Sequence, residues 1–263
     1  MTAQQGVLLD IDGVLTVSWR ALPGAVDAVA RLRAAGYRLR FVTNTTSRTR
    51  EVLSETLVHA GFDITAREIL TAATATADYL RRAYPGKRCF LLTSGEVGRD
   101  FAGIEVTGPG EPADVVVIGG AGGEFSHDSL DHAFQLLQQG APLVAMHRNL
   151  FWRRGNRLTL DSGGYILGLE KASGVQATVV GKPAPSFYEL ALSALGLPAA
   201  RTVMVGDDIE ADIQGAKNAG LAAVLLRTGK YRAADLEHST TAPDAVLDSI
   251  VNLPDWLASA PKP

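Results

Sequence analysis

Cysteine is nearly absent from this 263-residue chain, which contains only Cys89. A single thiol cannot form a disulfide within the chain, so we expect no covalent cross-link and no thiol chemistry. No uninterrupted apolar stretch reaches the roughly 18 residues of a membrane-spanning helix. The segment before the apolar residues 7–9 is also too short and too polar for a signal peptide. These absences predict a cytoplasmic protein without a membrane partner.

A broad excess of positive charge is also missing, because the formal net charge is −3 at pH 7. Such a chain offers no basic surface to nucleic acid, so any anion must be recognised by a few local groups. Hydrophobic residues make up 46% and charged residues 20% of the sequence, which is typical of globular proteins. We therefore expect a folded protein that binds a small ligand and no nucleic acid.

Short apolar runs alternate with helical patterns along the chain. The runs have the composition of buried parallel strands and lie at residues 7–11, 39–43, 115–118, 143–146, 203–205 and 222–226. Helical patterns such as residues 25–35 and 48–60 end at glycines suited to a left-handed cap. The alternation predicts an α/β fold with a doubly wound parallel sheet. In such folds functional groups lie just past the carboxyl ends of the strands.

Two carboxylates, Asp10 and Asp12, end the first predicted strand and are followed by Gly13. Two anions in one pocket are costly, and they usually persist with a metal ion or with separate acid and base roles. The alternative is a turn or a helix cap, but a cap needs one carboxylate and a helix directly behind it. The apolar residues that follow Gly13 do not favour that helix. The pair alone leaves both interpretations open.

Polar groups also follow several of the later apolar runs. They are Thr43 and Asn44, then Lys182, and finally the acidic residues Asp207, Asp208 and Asp212. Each has an ordinary explanation, as a helix cap, a surface charge or an acidic first turn of a helix. The complete set at one edge of the sheet favours a site for phosphate and metal.

In this order the residues resemble the four motifs of the haloacid dehalogenase-like (HAD) hydrolase superfamily, which are DxD, a strand-terminal Thr or Ser, Lys, and GDxxxxD. Asp10-Ile11-Asp12, Thr43, Lys182 and the segment from Gly206-Asp207 to Asp212 match them. The surrounding sequence is similar to the branch with a large α/β cap, which includes 4-nitrophenyl phosphatase-like and phospholysine phosphohistidine inorganic pyrophosphate phosphatase-like proteins. The resemblance spans nearly the whole chain.

The resemblance implies two domains. Residues 1–71 and 179–263 would form a Rossmann-like catalytic core, and residues 72–178 an inserted, smaller α/β cap that selects the substrate. A lid of this kind excludes water from the reaction. Proteins with this cap often pair through it, so a homodimer through the cap is also expected.

The resemblance further implies a Mg²⁺-dependent phosphatase that works through an aspartyl-phosphate. Asp10 would be the nucleophile, and Asp12 would act first as general acid and then as general base. The carboxylates of Asp10 and Asp207 and the backbone carbonyl of Asp12 would hold Mg²⁺ through oxygen ligands. Either Asp208 or Asp212 would orient the waters on the metal, with Asp212 slightly favoured.

The remaining motif residues would hold the phosphoryl group. They are Gly13, Thr43, Asn44 and Lys182. In the cap, the polar and aromatic segment 147–164 is a candidate specificity loop, with His147, Arg148 and Asn149 as the residues that would meet the leaving group. A basic loop is more often only solvated surface. The glycine-rich residues 119–123 lack the dinucleotide or P-loop spacing and are expected to form a close turn.

Two other functions stay open from the sequence. A phosphotransferase or phosphomutase would pass the phosphoryl group to an alcohol, and a noncatalytic module would bind phosphate without turnover. Related dehalogenases lack the second carboxylate of DxD, so Asp12 favours phosphoryl chemistry. Phosphate monoesters, phosphoamides and pyrophosphate all remain candidate substrates, because the fold does not specify a substrate.

Overall fold

The structure is a computed structural model that describes residues 5–154 and 157–259. Its strands are β1 Gly6–Asp10, β2 Thr16–Val17, β3 Arg20–Ala21, β4 Arg38–Thr43, β5 Ile69–Thr71, β6 Cys89–Leu92, β7 Val106–Thr107, β8 Val115–Ile118, β9 Leu143–Ala145, β10 Phe151–Arg154, β11 Arg157–Leu160, β12 Thr178–Val179, β13 Thr202–Gly206, β14 Ala222–Leu226 and β15 Ala245–Leu247. Its helices are α1 Ala25–Ala34, α2 Arg50–His59, α3 Ala72–Ala83, α4 His127–Gln138, α5 Ser162–Ser173, α6 Pro185–Leu195, α7 Gly215–Asn218, α8 Ala233–His238 and α9 Leu253–Ser259.

The chain divides into two compact units. The first contains the chain up to Thr43, Arg50–Leu70, and the chain from Lys182 onward. The second contains Asn44–Thr49 and Thr71–Gly181. The predicted core had included residues 44–49, whereas their contacts group them with the second unit.

A six-stranded sheet forms the centre of the first unit, in the order β15-β14-β13-β1-β4-β5. β1 pairs in parallel with β4 on one side and with β13 on the other. The strand order therefore reverses at β1, and this topological switch point is where open α/β sheets place their ligands, at the carboxyl ends of the strands. The α/β doubly wound fold predicted from the sequence is confirmed.

Apolar packing explains why β1 and its neighbours carry unbroken apolar runs. Val7, Leu8 and Leu9 are completely buried, as are Phe41 and Val205 on the flanking strands. Strands covered by helices on both faces need apolar side chains at every position, in contrast to the alternation of half-exposed strands. This rigid core fixes the position of whatever follows the last residue of β1.

The second unit has its own five-stranded sheet, in the order β12-β9-β8-β6-β7. Its strand pairs are parallel where β6 meets β7 and β8, and where β9 meets β8 and β12. The segment predicted as a loop over residues 147–164 instead contains an antiparallel hairpin of β10 and β11, in which Phe151 pairs with Leu160. Apolar side chains of this hairpin are exposed, including Trp152 and Leu158.

In the described parts of the chain, every helix falls short of the length and apolar character that crossing a bilayer requires.

Candidate active site

Asp10 is the last residue of β1 and is only 6% exposed. Its carboxylate oxygen Oδ1 accepts a hydrogen bond from Lys182 Nζ at 2.5 Å. Burial raises the pKa of Asp10, and the attraction of Lys182 opposes that rise. The geometry places one anionic oxygen donor at the switch point, paired with a fixed cation.

Lys182 bridges two buried acids. Its Nζ donates to Asp10 and also to Asp212 Oδ1 at 2.6 Å, and the lysine side chain is 3% exposed. Burial would lower the pKa of Lys182, but the carboxylates of Asp10 and Asp212 outweigh burial and raise it well above its usual value. Lys182 therefore remains an ammonium group at any pH near neutrality.

Asp212 holds the loop that follows β13. Its second oxygen, Oδ2, accepts the backbone N–H groups of Asp207 and Asp208, each at 3.2 Å. Burial raises the pKa of Asp212 to about 6, although Lys182 acts in the opposite direction. Both oxygens are thus engaged by the protein, which favours a supporting role for Asp212 over direct contact with substrate.

Asp208 begins the turn behind this loop. Its Oδ1 accepts the backbone N–H groups of Glu210 at 3.1 Å and of Ala211 at 3.0 Å, as a helix-capping carboxylate does. The turn is a π-helix over Ile209–Gln214 that continues into α7. Such wide turns are frequent at functional sites. The acidic first turn of a helix, which was the ordinary explanation for this cluster, is therefore present as a π-helical turn.

Asp207 lies between two glycine-containing segments. Its Oδ2 accepts the backbone N–H of Lys230 at 2.6 Å, and the residue is 3% exposed. Gly13 has a φ of 98°, and a Cβ built at Gly13 or at Gly229 would overlap the Asp207 carboxyl group. Burial and repulsion from Asp10 and Asp212 raise the pKa of Asp207 well above its usual value.

Asp10, Asp207 and Asp212 together form a candidate metal site. Each offers one carboxylate oxygen, and these oxygens lie within 4.8 Å of one another. An all-oxygen donor set fits Mg²⁺, which prefers carboxylates and water. A divalent cation would also relieve the repulsion that raises the pKa of Asp207. Asp212 already has both oxygens engaged, so Asp10 and Asp207 are the better direct ligands.

Asp12 and Thr43 flank this centre. Asp12 is exposed, although local desolvation raises the pKa of its carboxyl group. Thr43 is the last residue of β4 and is 3% exposed, and its strand neighbour Val42 pairs in register with Asp10. Both lie at the same sheet edge as the acidic cluster.

The other predicted residues belong to the second unit. Asn44 begins its Asn44–Thr49 segment. His147 is buried, and its Nδ1 accepts the backbone N–H of Asn149 at 3.3 Å. Arg148 donates to Glu170 Oε2 at 2.5 Å, so its guanidinium group already has an acidic partner.

The sequence prediction missed four residues of the site: Tyr188, Thr228, Gly229 and Lys230. The Tyr188 hydroxyl is buried and donates to the carbonyl of Ala211 at 2.6 Å, behind the acidic cluster. Thr228 Oγ1 donates to the Gly13 carbonyl. Thr228, Gly229 and Lys230 lie just past the end of β14. The sequence analysis selected the other site residues because they are polar and follow a predicted strand, and the same criterion could have selected Thr228 and Lys230.

Comparisons with family models and with relatives show the family to which the chain belongs. A model described as haloacid dehalogenase-like hydrolase matches residues 7–107, and a HAD-hydrolase-like model matches residues 179–253. Haloacid dehalogenase-like hydrolase domain-containing protein 2 of Bos taurus is 40% identical over 255 residues, which cover 97% of this chain and 96% of the relative. The chain belongs to the HAD-like hydrolase family.

Two further comparisons locate it among the phosphatases of that family. Phospholysine phosphohistidine inorganic pyrophosphate phosphatase of Rattus norvegicus is 37% identical over 263 residues, covering 98% of this chain and 95% of the relative. The crystal structure of a glycerol phosphate phosphatase from Mycobacterium tuberculosis in complex with magnesium has a TM-score of 0.86 and 26% identity, covering 99% of this chain and 80% of that one. The family resemblance seen in the sequence motifs is confirmed.

Proposed function

We propose that this protein is a Mg²⁺-dependent phosphatase that hydrolyses a small phosphorylated metabolite through an aspartyl-phosphate on Asp10. The observation that carries the proposal is the buried contact between Asp10 and Lys182 beside the carboxylates of Asp207 and Asp212. Phosphoryl transfer needs positioning and neutralisation of charge more than it needs strong acids. This cluster supplies an anionic nucleophile, a permanent cation and oxygen ligands for a metal.

The first step is attack by an Asp10 carboxylate oxygen on phosphorus. The new O–P bond forms as the bond from phosphorus to the leaving oxygen breaks, and Asp12 gives its proton to that oxygen. The raised pKa of Asp12 favours the protonated acid that this step requires. The products are a free alcohol, amine or phosphate and the phosphorylated Asp10.

The second step is hydrolysis of the aspartyl-phosphate. Asp12, now deprotonated, takes a proton from a water molecule that attacks phosphorus, and the bond to Asp10 breaks to regenerate the carboxylate. One carboxyl group can serve in both steps because it ends the first in the form that the second needs. Inorganic phosphate leaves, and Asp12 returns to its protonated form.

Cations must stabilise the phosphoryl oxygens during both steps. Lys182 would do so at its fixed position beside Asp10, and the Thr43 hydroxyl, the Gly13 turn and the Asn44 backbone would supply further hydrogen bonds. Mg²⁺, held by the Asp10 and Asp207 carboxylates and the Asp12 carbonyl, would neutralise phosphoryl charge when bound. Asp208 and Asp212 would act from behind, and the two backbone N–H groups held by Asp212 support its role.

The second unit is proposed as the cap that selects the substrate. His147, Arg148 and Asn149 follow β9 at the carboxyl edge of its sheet, where specificity groups are expected. The pairing of Arg148 with Glu170 makes His147 and Asn149 the stronger candidates for contact with substrate. A homodimer through this unit and a cytoplasmic location belong to the same proposal.

Release of inorganic phosphate tests the proposal. The panel would contain para-nitrophenyl phosphate, pyrophosphate, phosphoamides, glycerol phosphate, a sugar phosphate and pyridoxal phosphate, each with Mg²⁺ and with EDTA. We expect Mg²⁺-dependent release from at least one compound. Transfer of phosphate to an added alcohol without release to water would support a phosphotransferase, and no reaction with any compound would support a binding module.

A further inference from the structure

Lys230 lies beside the acidic cluster, on the loop that follows β14. Its Nζ is 3.7 Å from Asp208 Oδ2, and its side chain is 40% exposed, whereas Lys182 is 3% exposed. Its own backbone N–H holds Asp207. The residue thus meets the cluster at two points, once through the main chain and once through the ammonium group.

The loop around Lys230 is built against the cluster. Gly229 has a φ of 57°, and a Cβ built there would overlap both the Asp207 carboxyl group and the Gly13 backbone. The Thr228 hydroxyl donates to the Gly13 carbonyl from the same loop. These contacts keep the Lys230 backbone next to Asp207 regardless of what its side chain carries.

The Lys230 ammonium group lies in a strongly negative environment. The carboxylates within the electrostatic reach of Lys230 are those of Asp10, Asp12, Asp207, Asp208 and Asp212. Asp12 is protonated before the first step, so the other four carboxylates exceed the ammonium groups of Lys182 and Lys230 by two charges, and a divalent cation would bring the sum to zero. An incoming phosphate dianion therefore finds no net positive charge in the site, and without Lys230 it would meet a negative one.

We propose that Lys230 is the second cation of this site, and that its ammonium group promotes binding of the phosphate dianion while weakening the binding of the divalent metal. The inference rests on the proposed function, which supplies the dianion and the metal. Like charges repel, so an ammonium group close to Asp207 and Asp208 opposes a divalent cation bound by them. The same group attracts an anion that approaches the cluster from solvent.

The opposite signs of the two effects distinguish this role from a structural one. A residue that only held the loop would, when replaced, weaken the binding of metal and phosphate together. Removal of a compensating positive charge should instead weaken the binding of phosphate and strengthen the binding of the metal. Because the loop backbone is fixed by Thr228 and Gly229, a change of the Lys230 side chain alone tests the charge.

The experiment compares wild type with Lys230→Met, Lys230→Arg and Lys171→Met. Mg²⁺ binding to the substrate-free protein and inorganic phosphate binding in EDTA would be measured by titration calorimetry, alongside KM and kcat for para-nitrophenyl phosphate. For Lys230→Met we expect phosphate affinity to fall about 3- to 10-fold, KM to rise similarly and Mg²⁺ affinity to increase about 3-fold. Lys230→Arg should remain close to wild type, because it retains the charge.

Lys171→Met removes an exposed lysine of α5 and should change none of these values. A joint loss of Mg²⁺ and phosphate affinity in Lys230→Met, or no change in either, would overturn the proposal. The binding measurements do not need turnover. If the wild-type protein released no phosphate from any substrate, the proposed function would fail while these measurements still decided the role of Lys230.

Discussion

Lys182 Nζ lies 2.5 Å from Asp10 Oδ1, although 172 positions in the sequence separate the two residues. Both side chains are buried, and the same ammonium group reaches Asp212 at 2.6 Å. A buried charge is tolerated only when its partners are present, because desolvation costs several kcal/mol per ion, on the order of the whole stability of a domain. The groups proposed to act in catalysis are therefore also structural groups.

Removal of the Lys182 ammonium group should destabilise the protein. Lys182→Met leaves Asp10 and Asp212 buried without their cation, and breaking a buried pair in this way typically costs about 3–5 kcal/mol. Urea unfolding in EDTA would measure this loss. The matched control is Lys217→Met, which removes a more exposed pair with Asp244 at 2.8 Å and should cost less than about 1 kcal/mol. Equal losses would contradict this account.

Asp207→Asn should stabilise the metal-free protein at high pH. The pKa of Asp207 is raised in the folded protein, so folding favours the protonated carboxyl group. This contribution to the free energy of unfolding is fully present below the unfolded-state pKa of about 3.9 and is lost as pH rises through the folded-state pKa. In EDTA at pH 8 we therefore expect a Tm above that of wild type by about 2 °C or more, with the difference vanishing near pH 4.

Mg²⁺ should make wild type more stable than Asp207→Asn. Wild type should gain Tm as Mg²⁺ is added, because the ion binds the native state, and Asp207→Asn should gain much less. Scanning calorimetry at several Mg²⁺ concentrations would measure both. If Mg²⁺ raised the Tm of Asp207→Asn as much as that of wild type, Asp207 would not be a ligand of the metal.

Gly13→Ala should abolish activity through the position of Asp207. The added Cβ would overlap the Asp207 carboxyl group, and the backbone φ of 98° is unfavourable for alanine by roughly 1–2 kcal/mol. Gly36→Ala provides the control, because Gly36 has a φ of 83° and no atom within 4 Å of a built Cβ. We expect both variants to lose stability through the backbone conformation, Gly13→Ala to lose more because of the overlap with Asp207, and phosphate release by the folded protein to fall by more than about 100-fold only in Gly13→Ala.

Arg148 and Glu170 should be coupled in stability. Glu170 is 6% exposed, its Oε2 accepts from Arg148 and its Oε1 accepts the backbone N–H of Ala177. Arg148→Met should cost about 1–3 kcal/mol, and adding Glu170→Gln should recover part of that loss. Urea unfolding of the four proteins gives the coupling energy, and purely additive losses would contradict the pairing.

Substrate ranking tests the specificity proposal separately. His147→Ala should change the ranking of the larger substrates while sparing para-nitrophenyl phosphate, because the proposed contact is with the leaving group. The measurement is kcat/KM across the panel. An equal loss on every substrate would show that His147 supports the fold and does not select the substrate.

Much of the site could be predicted because polar residues at strand ends stand out against apolar strands. Asp10, Thr43 and Asp207 each follow or end a buried run, so their meeting follows from the parallel sheet alone. Lys230 and Thr228 also follow such a strand, β14, but an isolated lysine or threonine has no distinctive pattern. Their roles depend on the contacts with Asp207 and Gly13, which only the folded chain creates.

β5 and the hairpin of β10 and β11 are among the elements of the fold that were missed, for different reasons. β5 contains only Ile69–Thr71, which is too short for periodicity, and no strand was predicted there. The hairpin of β10 and β11 had a usable signal, since a Gly-Asn dipeptide between aromatic and apolar residues is typical of hairpins. The basic residues of the same segment led instead to the prediction of a loop.

The proposed nucleophile is tested by phosphate release from wild type and Asp10→Asn with Mg²⁺, combined with detection of phosphorylated protein after acid quenching. We expect release from wild type that EDTA abolishes, a phosphorylated peptide containing Asp10, and a loss of at least about 10³-fold in Asp10→Asn, because an amide cannot replace the anionic nucleophile. Retention of substantial activity in folded Asp10→Asn would show that Asp10 is not the nucleophile.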